Sequence, residues 1–346
     1  VAAVVLLLTV QSASTESPVI TFAVSGAQVT RPVAVNNRGV VAGTYTSPTG
    51  YAGVFVRDAG GTIATVELAD VQFFLPGVMD LNISGTLVGT YLSTVVPARG
   101  FVRTPDGFTT PFDIPGADYT ILTGINDRGA MIGAYVDSSR PQGVGFVVSP
   151  TGDVTDLTGP ADVLYFPQAI NTAGAIAGVT ASADGTSIDM FYRDARGDVT
   201  HFGIQHTSSN AEVTYWELVD MNAAGIVAGN YATREFVGGQ EIQYFHNFLR
   251  YPDGTVETFT VPDSSHSSVA QGIDAAGGVA GYYTDTYGSS FGFHRSRNGR
   301  FTTIALDEGL QTRVEGVSPS GLMVGSTVQF DHSGTYSLKE VGFIMR

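Results

Sequence analysis

One short pattern recurs along the whole chain and limits its folding more than any other feature. It reads apolar residue, Asn or a small polar substitute, two variable residues, Gly, two or three small or apolar residues, and a second Gly. The copies are VNNRGVVAG, LNISGTLVG, INDRGAMIG, INTAGAIAG, MNAAGIVAG, IDAAGGVAG and VSPSGLMVG. Their first glycines are Gly39, Gly85, Gly129, Gly174, Gly225, Gly277 and Gly321, spaced 46, 44, 45, 51, 52 and 44 residues apart. A fixed period marks a supersecondary unit that buries its apolar face only by stacking on copies of itself. A spacing of about 40 to 50 residues is that of one four-stranded propeller blade. The expected fold is therefore all-β, a seven-bladed β-propeller with four antiparallel strands per blade.

The third repeat shows how a blade is read. Residues 122–125 form a first strand, Asn-x-x-Gly a tight turn and 130–136 a second strand. After a variable loop, 145–149 form a third strand, 150–153 a turn and 154–157 a fourth. Gly and Asn stand where a turn needs positive φ, and β-branched or aromatic residues fill the strands. The last repeat ends in its third strand, 341–346, and 19–24 resembles the fourth strand and exit of the second repeat, 108–117. The N-terminal strand 19–24 is expected to complete the last blade and close the ring, which removes an open edge.

The repeat resembles that of the bacterial extracellular HAF repeat family, whose units combine Gly-Ile-Asn-x-x-Gly-x-Ile-Val-Gly-x-Tyr with a His-Gly/Ala-Phe strand and a Phe-Thr-Thr-Ile-Asp-x-Pro-Gly-Ala exit. Residues 124–135, 301–304 and 112–117 carry the likeness most closely. The strand motif survives as Gly100-Phe101, Gly145-Phe146, Gly292-Phe293 and Gly342-Phe343, and only His246-Asn247-Phe248 keeps its His. The resemblance covers essentially the whole chain after its first residues. It implies a secreted bacterial repeat protein and supplies no catalytic residues.

Composition narrows the partners. The 346 residues carry 17 Lys and Arg against 32 Asp and Glu, a net charge of −15, which disfavours nucleic acid because phosphate binding needs a basic surface. Without cysteine there is no disulfide, thiolate nucleophile or Cys-based metal site. Residues 1–10 are almost purely apolar, about half of what crosses a bilayer, and Ser12, Ala13 and Ser14 are the small residues a signal peptidase prefers. Residues 1–14 are thus read as a signal-peptide remnant and 15–346 as one propeller domain, secreted, monomeric and without a transmembrane segment.

Candidate chemistry gathers where the repeat is interrupted. The two longest spacings flank the fifth repeat and place insertions at 203–215 and 232–243, expected to be loops on the face where the other variable loops emerge. With their neighbour they carry His206, Glu212, Tyr215, Glu235, Glu241, Tyr244, His246, Asp263 and His266. A glycosidase would draw two carboxyl groups from Glu212, Glu235, Glu241 and Asp263. A lyase would draw a base from the histidines and a proton donor from Tyr215 or Tyr244. Trp216, the only Trp, aligns with Thr30, Pro76, Thr120, Tyr165, Ser268 and Thr312 at the start of each innermost strand. It is expected near the channel mouth, where with Tyr165 it could stack on a sugar.

Asp80 and Asp220 depart from the repeat differently, since Ala34, Gly124, Ala169, Gly272 and Gly316 hold their position elsewhere. An acid there needs either a hydrogen bond to the neighbouring blade or a role facing the channel. Tyr45, Tyr91, Tyr135, Tyr231 and Tyr283 recur two residues after the second glycine, which argues for packing. No metal-ligand spacing, phosphate loop or dinucleotide fingerprint occurs, so no cofactor is expected and a structural divalent cation has no motif behind it. Three functional readings remain open: a binder of an extracellular small molecule or glycan, a glycan hydrolase or lyase using the same face, and a scaffold that meets other proteins through blade edges.

Overall fold

The computed structural model describes residues 19–157, 163–182, 188–204, 212–265, 267–306, 310–331 and 337–346. Residues 1–14, and with them the signal-peptide reading, lie outside the described residues. The described residues form 28 strands. Among them no helix is long and apolar enough to cross a membrane. Strand pairing gives three sheets of four strands and two of eight. Each eight-stranded sheet is two four-stranded units joined by a single parallel bridge, Val29 to Glu340 in one and Phe245 to Ser267 in the other. Every four-stranded unit carries one copy of the repeat. In the third, the strands are Tyr119–Ile125, Met131–Asp137, Arg140–Val148 and Val154–Asp156, in that spatial order.

The chain ends meet in one unit. Ile20–Phe22 runs antiparallel to the final strand Ser337–Met345, with Ile20 opposite Ile344 and Phe22 opposite Gly342. The strand expected over 19–24 thus spans three residues and supplies the fourth strand of the last unit.

A β-bulge sits in the first strand of nearly every unit, and it explains the second repeat glycine. The pairing of first with second strand skips one residue at Val33, Thr123, Gln168, Val219, Gln271 and Glu315, and three residues, 76–78, in the second unit. None of the second glycines has positive φ. A Cβ on Gly133 would instead lie 2.0 Å from the Ile121 carbonyl oxygen and 2.8 Å from the Phe146 ring. The same geometry recurs at Gly43, Gly178, Gly229, Gly281 and Gly325. A bulged strand presses its carbonyl onto the second strand, and a buried Phe from the third strand covers the glycine from the side. These rings, Phe55, Phe101, Phe146, Phe191, Phe248, Phe293 and Phe343, are all fully buried.

The first repeat glycine has the other role: Gly129 has φ 87° and a Cβ there would meet nothing within 4 Å. It closes the turn whose Asn does more than bend the chain. The Asn126 side-chain oxygen accepts the Arg128 and Ala130 amides, each at 3.0 Å. Its Nδ2 donates to the main-chain carbonyl of Asn171, the equivalent residue one unit on, at 2.9 Å. Asn36 donates likewise to Asn82, Asn82 to Asn126, Asn171 to Asn222 and Asn222 to Asp274, at 2.9 to 3.3 Å. The positive φ expected at these asparagines is absent; the amide is selected because it accepts within its own turn and donates to the next.

The tyrosine column packs. Tyr91, Tyr135, Tyr231 and Tyr283 are buried and Tyr45 is half-buried, with Tyr91 donating to Asp70 and Tyr135 to Asp156. The insertion at 232–243 differs from expectation, because it is not a loop. It extends Val227–Val237 and Gln240–Arg250 into a two-stranded ribbon, closed by Gly238 and Gly239 at φ 61° and 85°.

Two substitutions separate these roles. Gly133→Ala should cost at least about 3 kcal/mol by forcing backbone apart, whereas Gly129→Ala should cost about 1–2 kcal/mol for its left-handed backbone alone. Asn126→Asp keeps the turn acceptor but removes the Nδ2 donor between units, leaving the Asn171 carbonyl only the Gly174 amide and facing it with a carboxylate oxygen, and should cost about 2–3 kcal/mol. Urea unfolding midpoints of the three variants check the order.

Candidate functional site

The bulges put one column of side chains into a central cavity. The residue six positions before each first glycine is Val33, Met79, Thr123, Gln168, Val219, Gln271 or Glu315, and all seven line a chamber of about 350 Å³. Six of them are bulged residues without a strand partner, so their side chains are free to turn inward, and Met79, which pairs with Gly89, follows the three-residue skip of its unit. Beside this column stand Asp80 and Asp220, and Glu217, Phe166 and Asn230 complete much of the wall. A second cavity of about 180 Å³ lies toward the Asn turns and is lined by Asn36, Asn126, Asn171 and Asn222. Asp80, Asp220, Val35, Leu81, Ile170 and Val317 border both cavities and form the neck between them.

Both neck acids are tied to main chain. Asp80 accepts the amide of Leu81 at 2.7 Å and that of Ile125, in the next unit, at 2.9 Å. Asp220 accepts those of Met221 at 2.7 Å and Ile273 at 3.1 Å. Of the two readings weighed from sequence, each residue therefore shows the inter-unit hydrogen bond, and each also borders the cavity. Burial pushes the Asp220 carboxyl up to about 6, and the charge of Asp80 adds to it while the two amides oppose it. Burial likewise raises Asp80.

The upper wall is also acidic. Glu315 is raised by burial, against the pull of Arg31 and Arg313 and with a further push from Glu340. The Arg31 guanidinium is committed to Glu340, at 3.0 and 2.8 Å, and its Nε lies 4.0 Å from Glu315. Burial raises the Tyr282 phenol, with Glu315 adding to the shift.

The sequence-derived candidates fall in three places. Trp216 does occupy the strand position of Thr30 and Thr120, opposite Tyr231 as they are opposite Tyr45 and Tyr135. That position, however, faces the layer between units: Thr30 and Thr120 are buried there and accept the amides of Val24 and Ile114. Trp216 packs against the core cluster that includes Leu218, Met221 and Phe248, and Tyr165 meets Phe191 edge-on at 5.0 Å. Neither is among the residues of the chamber wall.

The ribbon carries the second group. Glu212 and Glu241 flank one guanidinium, Arg234, at 2.6 and 3.7 Å. Glu235 stands opposite Ile242 on the ribbon. His246 lies between Thr233 and Thr260, at 3.1 and 3.2 Å, and stacks on Tyr231, with Tyr244 at 6.4 Å on its other neighbouring position. Tyr215 is hydrogen-bonded to Glu217, and burial together with that carboxylate pushes its phenol up to about 12. Asp263 is exposed in a turn at φ 65°. The third group, His206 and His266, lies outside the described residues. Among those described, no group of three or more His, Asp or Glu could hold a metal ion.

Glu217, Glu315, Gln168 and Gln271 were not singled out by sequence. For Glu315, Gln168 and Gln271 the available signal was the column preceding that of Asp80 and Asp220, which changes between apolar and polar residues from copy to copy.

No family model and no curated protein sequence matches the chain. Solved structures do match its fold. The β-propeller domain of the trilobed protease from Pyrococcus furiosus is similar over 92% of this chain and 94% of that one, at 9% identity and TM-score 0.57. The polysaccharide lyase Uly1 is similar over 93% and 90%, at 10% identity and TM-score 0.51. The acylaminoacyl peptidase of Pyrococcus horikoshii is similar over 93% of this chain and 53% of its own, at 9% identity and TM-score 0.55. The chain has a β-propeller fold. At these identities the likeness concerns the fold alone, and the propeller's function has to be argued from its own side chains.

Asp220 offers a test of the neck. Its folded pKa of about 6 exceeds the ordinary 3.8, so its contribution to stability is intact below about pH 4 and is lost as pH rises through about 6. The Asp220→Asn protein lacks that titration. Relative to wild type it should gain on the order of 2 kcal/mol between about pH 4 and pH 7. Urea unfolding of both proteins at each pH measures the difference, and parallel curves would mean that Asp220 does not titrate in this window.

Proposed function

We propose that the protein is a secreted, monomeric propeller of seven blades, of the HAF repeat type, that binds a small polar extracellular ligand, a carbohydrate or envelope component, in the central chamber. The observation that carries this reading is the convergence of the bulged column on one cavity. Residues freed from strand pairing in successive units, together with Asp80, Asp220 and Glu217, line a space of about 350 Å³, within the range of small-molecule pockets. Four acids, three amides and a hydroxyl are set among the apolar residues of its wall, as suits a ligand rich in hydrogen-bonding groups.

The ring itself is supported by side-by-side packing of successive first strands, from Val29–Val35 through Thr312–Val317 and back, and by the pairing of Ile20–Phe22 with the last unit. The chamber is lined by the later residues of the first strands and is the cavity farther from the Asn turns, on the side toward which the ribbon at 227–250 extends. That is the variable face, where a scaffold of constant turns leaves room for specificity.

Trp216 is the only indole and precedes the wall residue Glu217 in the same strand, so its emission reports on changes transmitted through that strand. Titration with a panel of mono- and oligosaccharides should shift that emission for at least one compound. Val219→Phe, which fills the chamber, should weaken the same compound at least about tenfold, while Phe236→Ala at the exposed ribbon tip should leave it unchanged. The reverse pattern would move the site to the ribbon.

A further inference from the structure

The chamber wall also indicates a ligand class, an argument that rests on the reading of the chamber as the ligand site. Each oxygen of Asp80 and Asp220 accepts one main-chain amide, which leaves a lone pair on each and no cation beside either. No Lys or Arg is among the residues of the chamber wall. The nearest guanidiniums are engaged elsewhere: Arg31 clamps Glu340, and Arg313 lies over the Tyr282 ring at 5.0 Å.

Two further groups on the same wall lack donors. The Glu315 side chain is only 11% exposed, yet among the described residues it accepts no hydrogen bond and has Arg31 no nearer than 4.0 Å. The amide oxygen of Gln168 is shielded from solvent and has no partner. Shielded acceptors without donors, and carboxylates without counter-charge, are costly to maintain. A neutral polyol would supply donors but leave the charge uncompensated. A metal ion needs more converging ligands than the described residues bring together.

We infer that the chamber takes a small organic amine, such as an amino sugar or a short diamine, with its ammonium group in the neck between Asp80 and Asp220 and further donors directed to Glu315. An ammonium offers three donors and one positive charge, which is what this wall lacks.

Calorimetric titration of the full chain at about pH 7.5 with methylammonium, putrescine and glucosamine, beside glucose and N-acetylglucosamine, tests the class. Glucosamine should bind at least about tenfold tighter than N-acetylglucosamine, which keeps the ring and loses the charge. Asp220→Asn should weaken glucosamine at least about tenfold and Glu315→Gln several-fold, while Glu241→Gln on the ribbon leaves it unchanged. Asp80→Asn gives the same readout should Asp220→Asn fold poorly, and Trp216 emission monitors folding throughout. Equal binding of glucosamine and N-acetylglucosamine, both weakened by Val219→Phe, would overturn the amine class and leave the chamber standing as the site. Amine binding indifferent to all three chamber variants would overturn both. Binding of none of the three amines would overturn the inference.

Discussion

The side-chain amide of one asparagine holds neighbouring units in step. Its oxygen closes its own turn by accepting two main-chain amides, and its nitrogen reaches the carbonyl of the equivalent residue in the next unit. Only a group that accepts and donates at opposite ends serves both needs, so aspartate, serine and threonine are poor substitutes. The sixth and seventh repeats show the consequence. Asp274 still caps its turn through Gly278 but has no donor for the next unit, and Ser318 caps through Leu322. There main-chain contacts take over, with Ala275 donating to the Pro319 carbonyl and Ser320 to the Asn37 side chain. The lateral register of the units is thus fixed on the turn face, which leaves the opposite face free to vary.

The bulge, the second glycine and the buried phenylalanine form a second linked set. A bulge presses the carbonyl of residue 121 onto position 133, glycine there gives it room, and Phe146 covers the gap. None of the three can change alone. The bulged side chain has no part in this arrangement, and its identity drifts from Val33 to Thr123, Gln168 and Glu315 along the chain. Function can be written into the column on which the repeat places no demand.

This division explains what the sequence revealed and what it concealed. The period, the four strands per unit and the return of the N-terminal strand follow from spacing and turn residues. Asp80 and Asp220 stood out because an acid replaced glycine or alanine in a packed column. Trp216 was placed in the right strand position, but that position faces the layer between units and is not part of the chamber wall, which the spacing alone did not show. Glu315 was missed because nothing local marks the residue that loses its partner in a bulge. At 232–243 the length of the insertion was legible and its conformation was not, although Gly238-Gly239 between two polar and apolar runs is a hairpin signal.

The distribution of charge gives the acids of the chamber their meaning. Three arginines of this acidic chain each bridge two carboxylates: Arg99 holds Asp70 and Asp113, Arg140 holds Asp137 and Asp156, and Arg234 holds Glu212 and Glu241. These bridges stand at strand ends and on the ribbon, where solvent already screens the charge. The neck carboxylates, where screening is weakest, receive main-chain amides and no arginine. A net charge of −15 draws cations toward the propeller, and a low-dielectric cavity lined by one sign of charge concentrates that field. Compensation is present where it is least needed and missing where a ligand could supply it, which makes the neck the place where a positively charged group would gain most.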